Sequence, residues 1–566
     1  MATTVDGAAP ASGLMVRGLW QRQLNHYPDT GRRVLYLSIV VLATIMLYYA
    51  LYIPGAVSPS IIAHFHMTFS YYVYIIVIGN AVGAFGSLLA GLADRWGRAN
   101  LVAYGLVVTA LLVLLGIPNA PNKLTYGIIF GAIAVVEGVI LVATPALIRD
   151  FSPQLGRASA MGFWTLGPVV GSLIVAIVSS ATLSHLHAWQ DQFVICGIVG
   201  LVVAAIAVVA LRELSPGLRD QLMVSMRDRA LIEARAQGID LSESLKHPWR
   251  QMLHLDVIGS AFAISVFLII YYTAVGFFTI YFSSLFGYSL SRANGLGNWF
   301  WAFDAGALIV VGIVSDRVRV RKPFMVIGAV GAIVMTIIFG SYAGHTHTSY
   351  ATFALTISLL AVFLAIAYAP WMASFTETVE KHNPALTATG LAVWGWIIRI
   401  VIAVSTLCLP FVVSAMTPLV NYGSQVSALS TKYAQQLTTA AAIDPATQAA
   451  LNTNPANKAA LAKAVGEIAQ KEQVSVPVAT ARLVALARVP RADLAFLQAH
   501  GPAVENASKA AAGQWKNWWW VAVGGEVVFI PLIFLMTGRW DPRRARQDAA
   551  EHERRVQEEL AALRSE

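Results

Sequence analysis

Long apolar runs separated by short polar connections repeat along nearly the whole chain, and twelve of them reach the roughly 20 residues a helix needs to cross a bilayer. They fall near 34–57, 70–93, 99–117, 125–149, 160–182, 192–211, 257–287, 293–315, 323–342, 351–376, 388–416 and 517–537. The pattern predicts an all-α integral membrane protein, because only helices and closed barrels satisfy every backbone group in lipid. The rest divides into a cytosolic tail (1–33), a six-helix half (34–211), a linker (212–256), helices 7–11 (257–416), an extracytoplasmic helical insert (417–514), helix 12 (515–538) and a charged cytosolic tail (539–566).

Composition removes the soluble alternative. The chain of 566 residues is 57% hydrophobic and only 12% charged, with mean hydropathy +0.63, whereas soluble proteins are about one quarter charged. Cys196 and Cys408 lie inside apolar runs and imply neither a disulfide framework nor a metal cluster. The net charge of +9 follows from where the positives sit. Arg95, Arg98, Arg149, Arg157, Arg317, Lys322 and Lys381 occupy the even loops, and the short odd loops carry only Lys123 and Arg292. The positive-inside rule then places both termini in the cytosol. In the linker, Arg219, Arg227, Arg229 and Arg235 alternate with Leu218, Leu222, Met226 and Leu231, an amphipathic connector on the membrane face rather than a nucleic-acid surface.

A polar, glycine-containing turn, Ala90-Gly91-Leu92-Ala93-Asp94-Arg95-Trp96-Gly97-Arg98, sits between the second and third runs. A related string, Gly312-Ile313-Val314-Ser315-Asp316-Arg317-Val318-Arg319, follows the eighth, with Asp316 lying 222 residues after Asp94. Such a repeat predicts two similar halves. These residues resemble the Gly-x-Leu-Ala-Asp-Arg-x-Gly-Arg pattern of the major facilitator superfamily of secondary transporters, with Ala90 and Arg319 each standing where a glycine is usual. The resemblance implies two six-helix halves, a cavity lined by helices 1, 4, 7 and 10, and gating by Asp94, Arg95, Gly97, Arg98, Arg149, Asp316 and Arg317. Gly162-Phe163-Trp164-Thr165-Leu166-Gly167-Pro168-Val169-Val170-Gly171 is similar to the Gly-Pro-x-x-Gly-Gly string of the family's proton antiporters, which implies that Gly167, Pro168 and Gly171 let span 5 bend and pack closely. The arginine that drug exporters of the family carry in helix 4 is here Ala134.

Charges at bilayer depth cost at least ~2.5 kcal/mol each and so mark either function or a buried ion pair. Glu137 in span 4, Asp304 in span 8, Arg399 in span 11 and Glu526 in span 12 are the four candidates. Glu137 and Asp304 are expected to carry protons. Arg399 is expected to bind an anion or, alternatively, to neutralise Asp304, and Glu526 is read as structural. Aromatic residues crowd the same depth, namely Tyr48, Tyr49, Tyr52, Tyr271, Tyr272, Tyr368, Trp371, Trp394 and Trp396. Of these, Tyr49, Tyr272, Trp371 and Trp394 are taken with Arg399 as the substrate site.

The resulting expectation is a monomeric transporter of the bacterial-type inner membrane that moves a small organic anion by alternating access, drawing on protons, with efflux antiport as the alternative. No cofactor, metal or nucleic-acid partner is expected. The chain shows no His-Glu-x-x-His, phosphate-binding glycine loop or Gly-x-Ser-x-Gly, so an embedded enzyme is disfavoured.

Overall fold

The structure is a computed structural model that describes residues 20–88, 96–151, 157–215, 218, 248–345, 347–382, 387–538 and most of 540–558; within helices, the side chains of 86–88, 142, 149, 157–164, 248–249 and 387–388 are outside that description. Asp94, Arg95, the side chain of Arg149 and most of the 212–256 linker therefore lie outside the described residues.

The protein is nearly all helical. Among the described residues eleven helices are long and apolar enough to cross a membrane, and a twelfth is reached if Ser58–His64 and Phe69–Phe85, bent by 114°, count as one span. In chain order the spans are Thr30–Ala56, Phe69–Leu88, Arg98–Gly116, Lys123–Phe151, Arg157–Thr182, Trp189–Ala210, Leu255–Phe286, Leu290–Val318, Lys322–Ser341, Tyr350–His382, Thr387–Val412 and the apolar part of Arg491–Leu532. Span 7 is interrupted at Leu268 between Leu255–Phe267 and Ile269–Phe286.

Residues Met1–Val412 and Trp515–Glu566 form one compact unit and Val413–Gln514 a second. The second consists of short helices, including Pro445–Thr453, Lys458–Lys471 and Val476–Ala487, which pack Ile443, Ala464, Ile468 and Ala479 into a small core of their own. Asn457 caps Lys458–Lys471 by accepting from the amides of Ala459 and Ala460. The Lys471 ammonium, 3.0 Å from Asp444, holds that carboxyl below its ordinary range. The alanine-rich composition of this segment suggests helices that bury little specific surface, and the structure corrects that. A specific apolar core forms because leucine, isoleucine and valine recur at helical spacing among the alanines. Arg491–Leu532 runs without a break through residue 515, because no helix-terminating signal stops it there.

The two Asp-Arg turns share a backbone device. Gly97 has φ +88 and Arg319 has φ +59, so the residue where the family pattern places glycine is left-handed in both copies. For an L-residue this conformation costs roughly 1–2 kcal/mol, a penalty glycine escapes. Arg319→Gly is accordingly expected to stabilise the protein by about 1 kcal/mol, read as a higher unfolding temperature in detergent. An unchanged or lower temperature would show that the arginine side chain compensates for its backbone.

Candidate functional site

The end of the helix bundle that carries the Asp-Arg turns is braced by charge. Glu213 pairs in a two-residue parallel ladder, β1 (Gln23–Leu24) with β2 (Glu213–Leu214). Its carboxylate accepts from the Arg98 amide at 2.7 Å, so an anion sits at the N-terminus of span 3, where free amides and the helix dipole favour one. A Cβ on Gly97 would overlap Glu213 Oε1, which with the positive φ requires glycine there. The Arg98 guanidinium bonds Asp150 at the end of span 4 at 2.9 Å. The second half repeats the device with different residues. Arg321 bonds Asp316 at 2.8 Å and Glu377 at the end of span 10 at 3.3 Å. Arg317, expected as the gating partner, is exposed, and Arg321 takes that place because the left-handed turn at Arg319 redirects the chain.

A further brace was not legible in the sequence. Arg22, fully buried, donates to Asn100 Oδ1 at 2.8 Å and to the carbonyls of Ala207 and Leu211 at 3.2 Å each. It ties the segment before span 1 to the start of span 3 and the end of span 6, although that segment reads as a plain tail.

At the opposite end the two halves are joined by neutral hydrogen bonds. Asn294 Nδ2 donates to the Ala56 carbonyl at 2.9 Å, Ser291 Oγ to the Ser180 carbonyl at 2.6 Å, and Asn298 Nδ2 to Ser180 Oγ at 2.9 Å. Spans 1 and 5 approach closely through two of the glycines singled out in the sequence. A Cβ on Gly167 would lie 2.6 Å from Thr44 Cγ2, and one on Gly171 would lie 2.7 Å from Tyr48 Cβ. Pro168 lies between them inside Arg157–Thr182.

Between these ends, at mid-depth, the candidate chemistry gathers around Tyr48. This tyrosine interacts electrostatically with Arg399 of span 11 and with Glu137 of span 4, so it links the two halves. Tyr52, one turn on, packs its ring at a tilt against it at 5.4 Å and interacts electrostatically with Tyr272, Tyr368 and Glu137. Tyr368 of span 10 is hydrogen-bonded to Thr165 of span 5. Glu137 is 2% exposed and neither carboxylate oxygen has a hydrogen-bond partner among the described residues. An ionised carboxylate left in that state costs several kcal/mol, so a proton or a bound cationic group must neutralise it. Asp304, also buried, faces Tyr271 and Tyr368. It makes no ion pair with Arg399 among the described residues, so the expected structural pairing of those two is not observed.

Three aromatic expectations shift in detail. Tyr49 is buried toward Cys196 of span 6 and not toward the halves' interface, because neighbouring helical positions diverge by about 100° while Tyr48 and Tyr52 share a face. Trp371 donates its indole N–H to the Ser260 carbonyl at 3.2 Å and packs against Trp394 at 5.3 Å, which makes the pair a wedge holding spans 7, 10 and 11 together. Tyr272 does join the Tyr48 cluster. Glu526 accepts a hydrogen bond from Thr336 at 2.7 Å between spans 12 and 9, away from this cluster.

Comparison with known proteins fits this geometry. A fujikurin efflux protein of Gibberella fujikuroi is 29% identical over 175 residues, 30% of this chain and 37% of that protein. The quinolone resistance protein NorB of Staphylococcus aureus is 27% identical over 121 residues, 21% of this chain and 26% of that protein. The chain thus spans well under half the length of these relatives. A bacterial homolog of the human lysosomal transporter Spinster, in an inward-facing and occupied conformation, superposes with a TM-score of 0.54 over 91% of this chain and 100% of that one, at 16% identity. Finally, the profile of the Major Facilitator Superfamily matches residues 40–406. With its paired Asp-Arg turns, its two joined halves and that match over most of its length, the chain belongs to the major facilitator superfamily and is a multi-pass membrane protein.

Proposed function

We propose that this protein moves a small organic anion by alternating access, coupled to protons, across a bacterial-type inner membrane. The single observation that carries the reading is that Tyr48 interacts electrostatically both with the cation Arg399 of the second half and with the buried carboxyl of Glu137 in the first, whose oxygens have no hydrogen-bond partner among the described residues. A carboxylate held by Arg399 and a proton held by Glu137 then share one neighbour across the surface along which the halves move. The charged turns face the cytosol, with both termini on that side, residues 417–514 form an extracytoplasmic insert, and the protein works as a monomer. The neutral hydrogen bonds at the other end close the outer side, so the arrangement is inward-facing. Proton-driven export is a second reading, favoured by the efflux named for one partial relative and the quinolone resistance named for the other. Uptake and counterflow by the purified protein in liposomes, at two pH values, against monocarboxylates, dicarboxylates, sugars and cationic drugs tests both. The proposal expects carboxylate entry that rises with an inward proton gradient. Export of cationic drugs against that gradient, with no carboxylate flux, would replace it.

A further inference from the structure

Beside the Tyr48 cluster, toward the end closed by neutral hydrogen bonds, lies a small, partly open cavity between spans 1, 5, 7 and 8, with a volume of about 40 Å³. That is room for about three waters, or for two or three non-hydrogen atoms of a solute. Tyr52 forms the wall it shares with the cluster, and Trp301, packed on Tyr271 at 4.9 Å, forms the other. Among the described residues no charged side chain lines it. The lining residues with polar side chains are Tyr52, Ser172, Thr279, Asn294 and Trp301. Asn294 spends its Nδ2 on the Ala56 and Leu290 carbonyls, and these bonds leave its Oδ1 unused. Ser172 is 3% exposed and its Oγ has no partner among the described residues. A buried hydroxyl without a partner is destabilising, and a solute hydroxyl or carbonyl would recover that loss.

We propose that this cavity is the subsite for the uncharged end of the solute and that it takes hydroxyl or carbonyl groups, so the preferred substrates are hydroxylated or oxo carboxylic acids rather than plain aliphatic or aromatic ones. The inference rests on the anion reading above for the solute's charged end at Arg399 and supplies its far end. Tyr48 and Tyr52 connect the two, and a site built to bond a hydroxyl discriminates strongly against the analogue that lacks it. An unlined apolar slot would show no such discrimination.

The test uses the purified full-length protein and matched probes: propanoate, glycerate and glycerol, then hexanoate, gluconate and sorbitol. Binding is measured by thermal shift and by competition in liposomes, for the native protein, Ser172→Ala and Thr279→Val, with gel filtration to establish that both variants are folded. The native protein is expected to prefer a hydroxy acid to its deoxy partner by about tenfold or more. Each variant is expected to reduce that preference about five- to tenfold while leaving the deoxy acid within about twofold. If no hydroxy acid binds, or if the preference survives both variants, the subsite is overturned, and continued binding of the deoxy acids would show that the anion reading stands without it. If the uncharged polyols bind as well as the acids and weaken in Ser172→Ala, the subsite holds and the anion reading falls.

Discussion

Glu137→Gln is expected to abolish uphill, pH-driven accumulation, leaving an inside-to-outside ratio near unity, while exchange of labelled for unlabelled solute continues. Glutamine has nearly the same shape and mimics the protonated acid. Neither Glu137 oxygen has a hydrogen-bond partner among the described residues, so the substitution breaks no such contact and the fold is expected to be retained. What is lost is the release of the proton. A transporter locked in the protonated form still carries solute both ways but no longer links its movement to a gradient. The measurement is accumulation in liposomes with an imposed pH difference, beside counterflow at equal pH. Accumulation that matches the native protein at every pH would move the coupling role to Asp304, the other buried carboxyl at this depth.

Arg399→Ala is expected to weaken carboxylate binding by on the order of 2 to 5 kcal/mol, and Arg399→Lys by less. Lysine keeps the charge but loses the planar two-donor fork. The competing account, in which Arg399 only neutralises Asp304, makes a different forecast, namely that Arg399→Ala with Asp304→Ala restores folding and transport together. The structure weighs against it, since Asp304 faces Tyr271 and Tyr368 and forms no ion pair with Arg399 among the described residues. The double variant is therefore expected to remain inactive. Recovery of transport in it would end the anion-site assignment. Solute affinity and thermal unfolding of the single and double variants, measured side by side, separate the two accounts.

The sequence by itself determined the class and the frame. Runs of apolar residues long enough to span lipid leave the backbone one economical solution, the helix, so the spans from Thr30–Ala56 to Thr387–Val412 emerge close to where the hydropathy places them. The paired Asp94 and Asp316 turns announced two related halves, and the buried charges Glu137, Asp304 and Arg399 were visible because charge is costly at that depth. Which faces meet was decided only by the tertiary structure. Adjacent tyrosines on one helix diverge by about 100°, so composition cannot separate Tyr49, turned to Cys196, from Tyr48 and Tyr52, turned to the opposite half. Partner choice was equally hidden. Arg321 instead of Arg317 takes Asp316 and Glu377, Glu213 reaches the start of span 3, and Arg22 is buried against span 6, because ion pairs and caps depend on where distant segments are brought in space. The Asp304–Arg399 pairing, plausible from charge alone, fails for the same reason: opposite charges at equal depth on different helices need not face each other.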